Sequence, residues 1–157
     1  MKFLKILLSF ILLSQNNAFL NFKKFHRNTS TSKIITKYNA YCHMILLEDS
    51  IFMKLSGQGD GYIVDQITEE FIKIFSKSSD KVKVLIDMKD AEGANRMAIQ
   101  KSVIFARYYS NYFDKIAIII DNKLLLRYLS IINFATYQKL HIKAFTNETD
   151  AKKWLKS

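Results

Sequence analysis

The 157-residue chain has no proline, four glycines, three histidines and one cysteine. Without proline there is no cis-proline turn and no proline-rich linker to set domains apart. A single cysteine rules out an intrachain disulfide and any cysteine-rich zinc site, so the fold has to stand on its apolar core. That residue, Cys42, lies beside an apolar run with no basic constellation to favour a thiolate, and it reads as a small buried side chain. His26, His43 and His141 are scattered, with no H-x-x-x-H spacing, so neither a metal nor another cofactor is expected.

Acids are missing from the first 47 positions, which hold seven lysines and arginines. The formal charge of +10 is therefore lopsided, and residues 48–157 carry only +3 of it. In that body the two signs alternate instead of gathering on one face, which argues against a nucleic-acid partner. Residues 1–20 have a lysine-containing start, an apolar stretch from Phe3 to Leu13 and polar Ser14 to Asn17 before Ala18. This is the layout of a secretory signal, with a stretch too short to cross a bilayer comfortably. Asn16 departs from the small-x-small cleavage pattern. Phe19 to Tyr41 then has the basic, hydroxyl-bearing, acid-free composition of a transit peptide. Export, a two-part plastid leader, and a start at Met44 that leaves the protein cytoplasmic all stay open. An uncleaved leader would make a membrane-attached protein. In each case residues 1–33 are expected outside the fold and residues 34–157 form one domain, in keeping with its length.

Apolar periodicity orders the rest. Ile34 to Leu47 reads as a first strand and Ile51 to Leu55 as its antiparallel partner across Glu48-Asp49-Ser50. The cluster Gly57-Gln58-Gly59-Asp60-Gly61 admits two readings, a phosphate-binding loop or a strand-to-helix turn. Its spacing fits no dinucleotide fingerprint and no G-K-[ST] ending follows, so the turn is preferred. Asp65 to Phe75 places Ile67, Phe71, Ile74 and Phe75 at helical spacing. Lys81 to Met88 follows as a buried strand, with Lys89 to Gly93 as a polar loop.

Asn95 is the expected N-cap of a helix reaching Phe113, with Met97, Ile99, Val103, Ile104, Ala106 and Tyr108 available to the core. Its tyrosine-rich end is expected to pack on the sheet, in preference to forming a stacking or membrane-edge surface. Lys115 to Ile120 is a second buried strand. Lys123 to Lys139 is a strongly apolar helix with Leu125, Leu129, Ile132 and Phe134 inward. Leu124, Leu126, Ile131 and Tyr137 then exceed what one face can hide, which marks this helix for a partner or ligand. His141 to Phe145 is the last strand. Thr146 or Asn147 caps a final helix that closes the sheet with Ala151, Trp154 and Leu155.

This order predicts an α/β domain with a mixed four- to five-stranded sheet, opening with a β-hairpin and continuing in parallel strands covered by helices. Sites in such sheets lie beyond the carboxyl ends of the strands, where Asp87, Lys89, Asp90, Glu92, Gly93, Asp121 and Asn122 gather. Carboxylates so placed could serve a hydrolase. No nucleophile with its base and no histidine pair accompanies them, and an enzyme is not expected.

Val84-Leu85-Ile86-Asp87 before a polar loop, Lys115-Ile116-Ala117-Ile118-Ile119 before a helix carrying Arg127, and the closing Ala144-Phe145-Thr146 with Glu148, Ala151 and Trp154-Leu155 together resemble the SpoIIAA-like branch of the STAS superfamily. Small domains of this kind are also grouped with CRAL-TRIO lipid-transfer folds. The resemblance covers residues 48–157, and its closing phrase is the most specific part. Antagonists of anti-sigma factors in that superfamily carry Asp-Ser-Ser-Gly at the start of the helix after the central strand, where a phosphoserine switches partner binding. Glu92-Gly93-Ala94-Asn95-Arg96 stands there in this chain and offers no hydroxyl, so that switch is not expected.

The resemblance implies a non-enzymatic regulatory or binding module. It would engage a protein partner or a small ligand, a nucleotide or a lipid, through strand-end loops and the apolar helix. Lys89, Glu92, Asn95 and Arg96 would form the loop site, bordered by Arg127. A homodimer is compatible with this reading.

Overall fold

The computed structural model describes residues 31–157 apart from 48–49, 78, 122 and 136–138. The leader reading for residues 1–30 lies outside them, as do Asn122 and Tyr137. The chain runs β1 (Thr31–Lys37), β2 (Ala40–Leu46), β3 (Ser50–Gly59), α1 (Gly61–Phe75), β4 (Val82–Ala94), α2 (Arg96–Tyr109), a short 3-10 turn (Ser110–Tyr112), β5 (Phe113–Ile119), α3 (Lys123–Ala135), β6 (Ile142–Phe145) and α4 (Glu148–Lys156). The six strands form one sheet in sequence order. β1, β2 and β3 pair antiparallel, and β3 to β6 pair parallel.

A sheet whose strand order never reverses puts every right-handed crossover helix on the same side. The core agrees. On one side Phe71 and Phe75 of α1, Ala106 of α2, and Leu129 and Ile132 of α3 pack with Val84, Ile116 and Ile118. On the other, Ala151 and Leu155 of α4 close over Leu85, Ala117 and Ile119. β4 and β5 are thus covered on both faces, which is why they read as continuous apolar runs. Their adjacency is the expected one, with Val84 opposite Ile116 and Ile86 opposite Ile118.

The mixed α/β architecture is as expected, with six strands in place of four or five. The extra strand arises because Ile34 to Leu47 is a hairpin and not one strand, turning through Tyr38-Asn39 between the paired Lys37 and Ala40. Tyr38 takes φ +50° without a glycine to announce the turn. β1 also takes in Thr31, Ser32 and Lys33, which the sequence reading left with the leader.

The polar loop expected at Lys89 to Gly93 is strand. β4 continues to Ala94, and its far end pairs with Ser56 to Gly59 of β3 across two register shifts. Backbone pairing with β3 holds that end in strand although its side chains are polar. Gly57 has φ +71°, and a Cβ on it would sit 1.8 Å from the Asn39 carbonyl oxygen of the first turn.

α1 starts four residues earlier than expected, at Gly61, because Asp60 caps it through a 3.0 Å bond from the Ile63 N–H. Asn95 caps α2 as expected, accepting from the Ala98 N–H at 2.8 Å, and Asn147 caps α4, accepting from the Asp150 N–H at 2.9 Å.

α2 presents to the core a stripe only partly the one expected, with Ala106 buried and Ile99 and Val103 half-buried as foreseen. Ala98 and Ala106 are buried and Phe105 and Tyr109 pack inward, while Met97, Ile104 and Tyr108 face solvent. Phe105, Tyr109, Tyr112 and Phe113 join Phe71 and Phe75 in one aromatic cluster, with Phe75 stacked on Tyr112 at 4.7 Å and edge-on to Phe113 at 5.4 Å. In α3, Leu129 and Ile132 point inward as expected, but Phe134 is 83% exposed. It follows Ile132 by about half a turn, so the two cannot share a face.

Gly57→Ala is expected to destabilise the domain by at least about 2 kcal/mol, combining positive φ with a backbone collision. Gly93→Ala, whose Cβ would meet only the flexible Gln58 side chain at 3.2 Å, should cost much less. Urea midpoints of the two variants test this.

Candidate functional site

Between the parallel strands and the layer α1, α2 and α3 lies a cavity of about 240 Å³. It originates in the inward face of α2. Ala98, Ser102 and Ala106 recur every four residues, so they form one line along the helix. They lie across from larger residues such as Ile86 and Ile118 and leave unfilled the space that leucine or phenylalanine would take. Ile67 of α1 and Leu129 of α3 close the sides. The lining extends from Phe113 and Leu140, at the amino ends of β5 and β6, to Gly59 and Gly93 near the carboxyl ends of β3 and β4. The space is therefore elongated along the strands.

Its chemistry is almost wholly apolar. Among the described residues, Tyr41, Ser56, Thr68 and Ser102 are its only lining residues with polar side chains, and no Asp, Glu, Lys, Arg or His lines it. A cavity so lined has nothing to neutralise a phosphate, and water gains little there because it needs two to four polar partners. Sequence reasoning missed this site. The Ala98, Ser102, Ala106 spacing was its available signal, hidden by the more hydrophobic Met97, Ile104 and Tyr108 beside it.

The strand-end residues behave differently. Lys89 and Glu92 stand on β4 itself, Asn95 is spent on the α2 cap, and Arg96 is the first residue of α2. All four follow one another at a single rim, whereas Arg127 projects to solvent on α3. Two of the acids that resembled a catalytic group have local tasks. Asp87 accepts from the Lys89 N–H at 3.1 Å, and Asp90 pairs with Lys54 at 2.8 Å. Among the described residues, no three of His, Cys, Asp and Glu are placed to hold a metal ion.

The glycine-rich segment is likewise committed. Gly57 and Gly59 belong to the β3–β4 ladder, and Asp60 sets its own negative charge at the start of α1. The Ile63 N–H, then the Lys37 ammonium at 2.9 Å, hold the Asp60 carboxyl below the ordinary aspartate range. An anion would meet that carboxylate, so this helix start is not a phosphate cradle.

Two further reactive groups sit elsewhere. Ser32 Oγ lies 2.7 Å from His43 Nε2 in an exposed contact between β1 and β2. That pair is open to water and has no enclosed pocket around it, unlike a working nucleophile and base. Cys42 is fully buried on the helix-covered side of the sheet, and loss of hydration pushes its thiol up to about 12.

A six-stranded mixed sheet with three crossover helices on one side and a closing helix on the other defines a STAS-like α/β domain. The SpoIIAA-like family profile matches residues 51–156, and the chain belongs to that family. A solved structure of an uncharacterised Shewanella loihica protein with a SpoIIAA-like fold superimposes with a TM-score of 0.58. It is 17% identical, and the match covers 84% of this chain and 99% of the other, a likeness of fold alone. No curated protein matches the chain. Domains of this fold are commonly regulatory or binding modules, generally non-enzymatic, and typically interact with proteins.

The Cys42 thiol is expected to resist alkylation in the folded protein at neutral pH and to react at the rate of a free thiol once denaturant unfolds it. Rapid labelling without denaturant would contradict the burial described.

Proposed function

We propose that this domain is a non-catalytic binding module that takes an apolar small molecule or a single lipid chain into the cavity between sheet and helices. The observation that supports the reading is an elongated space of about 240 Å³ lined by aliphatic and aromatic side chains with a few hydroxyls. Dry apolar cavities of about 150 Å³ already admit benzene-sized guests. Binding sites are commonly of this composition, mostly apolar with a few oriented polar groups.

A nucleotide fits the lining poorly, because no cation faces the space. Lys89, Glu92, Asn95 and Arg96 would instead meet whatever polar portion emerges at the rim by Gly93, with Arg127 on α3 as a further outer contact. The same rim is the surface to which a protein partner would be sensitive if occupancy of the cavity regulates binding. Asp87, which accepts from the Lys89 N–H, and Asp90, in an ion pair with Lys54, lend no support to hydrolysis.

Uptake of the uncharged fluorophore phenylnaphthylamine by the full chain tests the reading. The expected result is a saturable rise in emission with the folded protein that Ala106→Leu abolishes. Because the added methylenes enter existing space, that variant should keep or gain stability, whereas overpacking a filled core costs about 1–3 kcal/mol. No uptake by the parent, or a loss of that size in the variant, would overturn the proposal.

A further inference from the structure

We infer that the outward side of α2 and α3 docks on an anionic lipid bilayer. On α2, Met97, Ile104 and Tyr108 are 54–65% exposed, and on α3 Leu126, Ile131 and Phe134 face water as well. Spacings of seven and four residues keep the α2 set on one face, and on α3 Ile131 and Phe134, three apart, share a face with Arg127, while Leu126 stands to its side. The two helices are neighbours in one layer, so these exposed apolar side chains stand on the same side of the domain, the α2 set on the flank nearer α1, where Met97 lies against Gly61.

The charges carried by these two helices have one sign. Neither Asn95–Phe113 nor Lys123–Ala135 contains an aspartate or glutamate. Arg96, Arg107 and Arg127 are exposed along the same helices. The contrast with α1 is sharp, since that helix carries Asp65, Glu69 and Glu70. Lys101, the remaining cation of α2, is turned toward α1, where it pairs with Asp65 and donates to the Gly61 carbonyl. Cations beside aliphatic and aromatic side chains, on helices lying flat against a sheet, are the arrangement that settles at the headgroup boundary of acidic lipids. Among the described residues no helix is long and apolar enough to cross a membrane, so the contact is peripheral. The surface lies on the reverse of the helices that roof the cavity, and vesicle binding requires no occupant there, so this inference stands or falls apart from the ligand reading.

Flotation of the full chain with vesicles of phosphatidylcholine, alone or mixed with phosphatidylserine, tests it. The protein is expected to float with the anionic vesicles and not with the neutral ones, and to release as salt rises. Arg127→Glu should weaken binding about fivefold or more. Ile131→Asp with Phe134→Asp should abolish it, and Tyr38→Asp at the exposed β1–β2 turn should leave it unchanged. All these positions are exposed, so circular dichroism should show the parent fold in each variant. Equal flotation with both vesicle types would overturn the inference. So would undiminished binding of the Ile131→Asp, Phe134→Asp variant, which would assign the contact to residues 1–30, or capture by an acidic protein without any vesicle binding.

Discussion

The pairing of β4 with β3 on one side and β5 on the other is the constraint from which the other features follow. Once those strands run parallel in sequence order, each connection has to cross the sheet on the same side, and α1, α2 and α3 become one layer. The opposite face is left to α4, which is too short to cover all six strands and packs on β4, β5 and β6. The sheet face near His43 and Lys54 consequently stays unroofed by helix. Three helices on one side and one on the other determine where an internal space can form and where the polar pairs Ser32–His43 and Lys54–Asp90 are found.

Within the helix layer, the rotation of α2 decides the rest. This helix has two stripes able to face inward, an aliphatic one through Met97 and Ile104 and a smaller one through Ala98, Ser102 and Ala106. The second is in phase with Phe105 and Tyr109, whose rings lie 5.1–5.9 Å from each other and from Phe71, Phe75 and Phe113. Aromatic contacts of this kind contribute roughly 0.5–1.5 kcal/mol each beyond area burial. Several of them acting together outweigh the transfer of Met97 and Ile104 into the core. The same rotation brings alanine and serine over the strands and turns the larger aliphatics outward. Cavity and apolar outer surface are therefore two results of one packing choice.

Much of this fold could be read from the residues themselves. Runs such as Val82 to Met88 and Phe113 to Ile120 are covered on both faces and carry a one-dimensional signal, as do Asn95 and Asn147 ahead of helices. Features that were not legible depend on contacts distant in sequence. The Tyr38-Asn39 turn has no glycine or proline to mark it, and the need for Gly57 comes from a carbonyl eighteen residues away. The strand character of Lys89 to Gly93 comes from pairing with β3 and not from side chains that favour strands. The cavity was hidden for a related reason. A void is a property of what faces a small residue, and periodicity records only what the residue is.

Charge placement separates the readings of function. A chain with acids at strand ends invites a catalytic interpretation, yet catalysis needs groups held at a reacting centre from which water can be excluded. Here the apolar cavity and the described charged groups occupy different places. Asp87 accepts from the Lys89 N–H, Asp90 meets Lys54 where both are partly exposed and their attraction is screened, and Asp60 caps a helix. Among the described residues the interior offers shape, apolar area and a few hydroxyls, the composition common to sites that hold small molecules.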